Sequence, residues 1–255
     1  MTTTLGNPAD LAPGWVTALF ILTVLVMGAL VVAGVHRASR ASGVRPSRAA
    51  VVTAVALGAW LGVTGLLAAV GFFEEWKSLP PRFVLVIVPP LLAIVTLARS
   101  SAVIPLIAAT PPGWLVGAQA FRIVVEVVLW ALVVARAAPE IMTFTGTGRN
   151  FDVAVGITAL IVPALLGRGD RPERRRLALW WNVAGILILV NTVLHAILAT
   201  PTRFQLFLTS PPNTFIASFP YVWLPGFLVP LAWALHVLSI RQLARAPRPT
   251  GRLRA

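Results

Sequence analysis

Gln119, Arg122 and Glu126 recur at intervals of three and four inside an otherwise apolar run, Gly113 to Val134. On an α-helix that spacing puts all three on one face. A rise of about 1.5 Å per residue sets Arg122 and Glu126 roughly 6 Å apart along the axis, on either side of the run's centre. A charged group at that depth costs about 2.5–3.5 kcal/mol on insertion scales. The stripe is therefore expected to face a bundle interior, where Arg122 clamps an anionic group and Glu126 acts as its ion-pair partner or carries a proton. A purely structural ion pair would use the same residues, but well-packed apolar side chains would do as well with less desolvation.

A second polar set lies towards one end of the neighbouring runs. Asn191 and His195 stand four apart on one face of a later apolar run, and an intervening loop carries Glu140, three threonines, Arg149, Asn150 and Asp152. These are expected to meet the stripe at its outer mouth, giving Gln119, Arg122, Glu126, Asn150, Asn191 and Arg203 as ligand-binding residues. A histidine beside carboxylates also suits acid–base catalysis, so in an enzymatic alternative His195, Asp152 and Glu140 are the catalytic residues. One histidine with scattered carboxylates lacks the paired spacing of a metal site. No metal is assigned, and no motif identifies a cofactor. Gly146 and Gly148 permit tight turns, the loop is suited to act as a lid, and Asn150 or Asp152 is positioned to cap the next helix.

The elements that must position these residues are membrane-spanning helices. Of 255 residues, 58% are hydrophobic and 11% charged, and the mean hydropathy is +0.86. That balance excludes an ordinary soluble domain. Apolar runs are read at 15–35, 49–72, 83–103, 113–134, 151–166, 177–198 and 216–240. Residues 1–240 are accordingly expected to form one all-α domain of seven transmembrane helices, with 241–255 a basic, disordered cytoplasmic tail.

Alternating sides collects Arg37, Arg40, Arg45, Arg48, Arg99, the Arg168 to Arg176 segment and the tail arginines on one side. Asp10, Glu74, Glu75 and Glu140 fall on the other. The positive-inside bias then sets the N-terminus outside and the C-terminus in the cytoplasm; a six-span chain with the fifth run lying flat would split the basic segments. The first run lacks the positive leader of a cleaved signal and is read as a retained span. Pro89 and Pro90 are expected to kink the third span, with 100–109 as an alternative re-entrant or surface segment. Gly58 and Gly62 form a Gly-x-x-x-Gly pair of the kind that permits close helix approach.

The formal charge of +13 comes from 20 Arg and one Lys against eight acidic residues. It is spread through short inter-span segments, which suits an anionic membrane surface and not nucleic acid. The one lysine, Lys77, falls in a loop, which excludes a Schiff-base chromophore within the bundle, and the three histidines do not make the facing pairs of a bis-histidine haem. With no cysteine there is no disulfide or thiol chemistry. The arginine- and alanine-rich composition suits a high-GC bacterium and hence its inner membrane.

The expected function is binding or translocation of a small polar or anionic solute through an outward-opening polar cavity between the fourth, fifth and sixth spans. The alternatives are a membrane-embedded enzyme acting on a lipid-linked substrate and a structural or assembly subunit. Expected partners are membrane lipids, a small polar or anionic ligand or lipid head group, and, for the assembly role, another membrane protein.

Overall fold

A computed structural model describes residues 8–43, 45–166 and 172–245. Among these residues every regular element is helical. The α-helices in chain order are α1 (Gly14–Ala41), α2 (Pro46–Ala69), α3 (Val84–Arg99), α4 (Ile104–Ala109), α5 (Pro112–Gly117), α6 (Phe121–Val134), α7 (Asp152–Thr158), α8 (Val162–Leu166), α9 (Pro172–Leu198) and α10 (Val229–Arg245). Five stretches are long and apolar enough to cross a membrane: α1, α2, α5 through α6, α9, and α10 with the turn before it. A sixth is obtained if α3 and the segment after it, bent by 74°, are taken together.

The apolar pattern explains how these helices are used. On α1 the buried positions Val16, Phe20, Val24 and Met27 follow helical spacing and face α2, α4 and α6, while Leu22, Leu25, Val26 and Leu30 stay exposed on the other side. Such a broad apolar exterior is what a bilayer covers. The other centre of packing is α10, which contacts α3, α4, α5 and α9.

The third apolar run breaks in a different place from the expected one. Helix α3 continues through Pro89 and Pro90, and the sharp bend comes at Ser100, whose hydroxyl accepts the Ala102 N–H at 3.2 Å. The last carbonyls of a helix have no partner of their own, and here α10 supplies them. Arg241 donates to the carbonyls of Leu97 and Ser100 at 3.0 and 2.8 Å, and Gln242 donates to those of Ile107 and Thr110. Segment 100–109 is thus bonded along the end of α10.

The fifth apolar run forms two short helices, α7 and α8, where one continuous span was expected. The seventh is helical only from Leu224: residues 199–223 are largely irregular, yet Ala199, Phe215, Ala217, Tyr221 and Val222 are buried. Irregular backbone of this kind is tolerated at membrane depth only where protein surrounds it. The basic tail also starts later than its composition suggests, since α10 carries Arg241 and Arg245; Arg248, Arg252 and Arg254, like Arg168 and Arg171, lie outside the described residues.

Close helix approach does not occur at the Gly-x-x-x-Gly pair. Gly58 and Gly62 have open space where a Cβ would point, whereas a Cβ on Gly34 would come within 2.8 Å of Trp114 and one on Gly65 within 3.0 Å of Trp223. The small residues are used where a large ring from another element must be received, and ring positions are not visible in a local motif.

Two indoles join α2 to the start of the last span. Pro230 has no N–H for the Gly226 carbonyl four residues before it, and the Trp60 indole donates to that carbonyl at 2.8 Å. Reciprocally, the Trp223 indole donates to the Leu61 carbonyl at 3.0 Å. A π-helical turn, Leu224–Leu228, occupies the junction. Replacing Trp60 by Phe keeps the ring but removes the donor, and is expected to destabilise the protein by about 1–3 kcal/mol. Denaturant unfolding of detergent-solubilised protein checks this against Trp180→Phe, which alters a 70% exposed ring; equal effects of the two would show that the indole bond contributes nothing.

Candidate functional site

The stripe on α5 and α6 points inward. Arg122 is 3% exposed and Gln119 fully buried. Side chains on a helix lean towards its N-terminus, and Arg122 follows that rule: its Nε donates to Gln119 Oε1 at 3.1 Å, while the Gln119 amide donates to the Ala232 carbonyl of α10 at 3.1 Å. Its ion-pair partner is Asp152 at the start of α7, with Nη1 to Oδ1 at 3.1 Å. The expected Arg122–Glu126 pair does not form, because the arginine leans back to Gln119 and meets a carboxylate brought in from another helix. Arg122 Nη2 is buried and has no hydrogen-bond partner among the described residues.

Glu126 holds the loop instead. Its carboxylate accepts the Phe144 N–H at 2.7 Å and the Asn150 amide at 3.2 Å. Glu126 stands eight residues before the end of α6, roughly 12 Å along the axis, so segment 135–151 dips into the bundle to reach it. Asn150 uses all of its hydrogen-bonding capacity there. Its nitrogen donates to Glu126 and to the Met142 carbonyl at 3.0 Å, and its oxygen accepts the Asp152 N–H and the Thr192 hydroxyl, both at 3.1 Å. Of the two candidate caps for the helix at 152, Asn150 is the one that serves. Asn191 adds a bond from α9 to the Arg149 carbonyl at 2.8 Å.

His195, Asp152 and Glu140 do not meet. The His195 Nδ1–H donates to the Asn191 carbonyl at 2.8 Å and its ring stacks on Phe207. Glu140 accepts from the backbone and hydroxyl of Thr147 within its own loop, and Asp152 holds Arg122. Arg203 lies exposed in the segment after α9. No hydrogen bond among the described residues joins any two of the three proposed acid–base groups.

The histidine that does enter the buried polar layer is His236 of α10, which is not among the candidate site residues read from the sequence. It is fully buried, and its Nδ1 lies 2.9 Å from Asn182 Oδ1 on α9. The Asn182 amide nitrogen donates to the Ala178 carbonyl at 2.8 Å and to the Ser239 hydroxyl at 3.0 Å. Gly185 leaves the space for this imidazole, since a Cβ there would fall 2.3 Å from His236 Cε1. A readable signal existed in two polar or small pairs spaced i, i+3 within apolar runs, Asn182 with Gly185 and His236 with Ser239.

The arrangement as a whole offers a neutralised guanidinium with one free N–H₂ group, closed from one end by an inserted loop that a single asparagine secures. Asn150→Asp keeps the shape but replaces both donors with a carboxylate beside Glu126, and is expected to destabilise the fold by about 3 kcal/mol. Adding Glu126→Gln, whose amide can donate to the new carboxylate, should recover much of that loss. Unfolding of the single and double variants in detergent checks the sign of the coupling; an unrecovered double variant would deny that Asn150 and Glu126 act on each other.

No curated protein and no solved structure matches the chain. A family model described as a domain of unknown function (DUF8737) matches residues 79–244, a stretch that contains every residue of this polar layer, and the chain belongs to that family.

Proposed function

We propose that the protein binds a small polar or anionic solute at Arg122 and passes it across a bacterial inner membrane. The observation that carries this reading is the buried Arg122 Nη2 with no partner among the described residues. A guanidinium that has paid for burial and kept one edge free is poised for an oxyanion or carbonyl oxygen. The inserted segment 135–151 is the lid: it holds on through Glu126, Thr192 and Asn191, all side-chain bonds, and its withdrawal opens the outer approach.

The accompanying topology is seven crossings, N-terminus outside and C-terminus cytoplasmic, with segment 135–151 and helices α7 and α8 together making the fifth. Charge supports it. Arg241 of α10 bonds the end of α3 near Arg99, and Arg175 at the start of α9 donates to the Leu243 carbonyl at 2.6 Å, so basic residues from three elements gather at one end of the bundle.

Small oxyanions such as formate and nitrate at millimolar concentration are expected to raise the unfolding temperature of the protein in lipid nanodiscs. Arg122→Gln should abolish the effect and Arg203→Gln should not. Asp152→Asn removes the carboxylate that competes for the guanidinium, and is expected to strengthen anion binding about tenfold, or about 1.4 kcal/mol. Unchanged responses in folded Arg122→Gln and Asp152→Asn proteins would remove Arg122 from any binding role.

A further inference from the structure

Resting on the solute site just proposed, the geometry around Arg122 narrows what that solute must bring with it. The tautomer of His236 follows from its neighbours. The Ala178 carbonyl can only accept, so the Asn182 atom facing it is the nitrogen, and the Asn182 oxygen facing His236 can only accept in turn. His236 Nδ1 therefore carries a proton, and in the neutral ring Nε2 is a bare acceptor. That atom is buried and, like Arg122 Nη2, has no partner among the described residues. Two such atoms in one polar layer call for an explanation, because an unmet buried donor or acceptor costs about 1–3 kcal/mol.

They also converge. Gln242 bonds residues 107 and 110 while Ala232 accepts from Gln119, so α10 runs antiparallel to α5 and α6. Arg122 leans back towards Gln119. His236, one turn beyond Ala232, leans back towards Ala232 by the same helical rule. Both side chains thus approach the level of the Gln119–Ala232 bond.

The charges decide what fits between them. Arg122 and Asp152 pair as opposite charges, and His236 Nε2 has no donor among the described residues. Around His236, α9 brings Asn182, Gly185 and the Trp181 ring, and α5 (PGWLVG) brings no titratable group. Glu126, the remaining carboxylate of the layer, is bound to the loop and supplies no positive charge. An anion arriving alone would add an uncompensated negative charge to the buried set, at a cost of several kcal/mol. A proton arriving with it cancels that added charge and gives the bare Nε2 a donor to accept from.

We infer that Arg122 and His236 together bind one small oxyanion and one proton, Arg122 Nη2 donating to one oxygen of the anion and the proton lying between its other oxygen and His236 Nε2. The solute class is then a small weak acid, a short carboxylate such as formate being the simplest member, carried without net charge. Strong-acid anions of similar size, too weakly basic to share that proton, satisfy only the arginine.

Calorimetry of formate binding to the full chain in nanodiscs, repeated in buffers of different ionisation enthalpy, counts the protons taken up. About one proton per formate is expected near neutral pH, together with formate binding at least tenfold weaker in His236→Gln and unchanged proton uptake in Glu126→Gln. Nitrate matches formate in charge and planarity, and it should bind more weakly and be little affected by His236→Gln. Equal binding of formate and nitrate without proton uptake would overturn this inference and leave the anion site at Arg122 standing. Loss of proton uptake in Glu126→Gln alone would overturn the assignment to His236. No binding of either anion would remove both the site and this refinement of it. The wild-type proton count and the Glu126→Gln result decide the question even if His236→Gln fails to fold.

Discussion

A guanidinium held away from water must be answered from several directions at once, and much of this fold is arranged around that demand. Arg122 needs an acceptor for its Nε, which Gln119 provides one turn back, and a counter-charge, which α7 provides in Asp152. Bringing α7 that close to α6 requires the absence of a side chain at Gly156, where a Cβ would lie 3.0 Å from Ile123 and 3.2 Å from Arg122. Gln119 must in turn spend its own donor, and the Ala232 carbonyl takes it. One buried charge therefore fixes the mutual positions of α5, α6, α7 and α10.

The loop follows from the same constraint. With α7 anchored at Asp152, level with the start of α6, the chain leaving α6 at Val134 has to run back along that helix through the bundle to reach it. A descending segment without helical bonds needs other partners for its backbone. Glu126 takes the Phe144 N–H, and Asn191 and Asn150 supply donors to the Arg149 and Met142 carbonyls. The spacing suggests an Arg122–Glu126 pair, and the structure makes of it two devices: Arg122 holds α7, and Glu126 holds the loop.

The sequence announced a good deal of this. Apolar runs of bilayer length correspond to the long helices, and the spacing of Gln119, Arg122 and Glu126 correctly predicted one inward face, because period and hydropathy are local properties. Pairing is not local. Asp152 lies thirty residues from Arg122, and nothing in composition ranks it above Glu126 four residues away. The order Arg then Glu is also the poorer one for an i, i+4 pair, since it opposes the helix dipole, and that clue was available. Pro89 and Pro90 misled in a similar way: proline removes one hydrogen bond wherever it stands, but whether a helix bends there depends on what surrounds it, and the 74° turn was placed where Arg241 and Gln242 could satisfy the freed carbonyls. His236 stands four residues before the end of the apolar run at Ile240, but α10 continues to Arg245, so the imidazole lies deeper along the helix than the run implies.

The distribution of bonds also separates what must stay from what can move. Helix α10 is fixed at its beginning by Trp60 on Gly226, along its middle by Gln119 on Ala232 and Ser239 on Asn182, and at its end by Arg241 and Gln242 on the α3–α4 bend. These contacts come from four different elements, so no single change frees the helix. Segment 135–151 is held otherwise: its bonds to the rest of the bundle run through Glu126, Thr192 and Asn191, and two of those three end on Asn150. A helix secured from many sides thus stands next to a segment whose side-chain bonds to the bundle number four among the described residues, two of them on Asn150, and whose Ala137, Ala138 and Met142 are packed into the core.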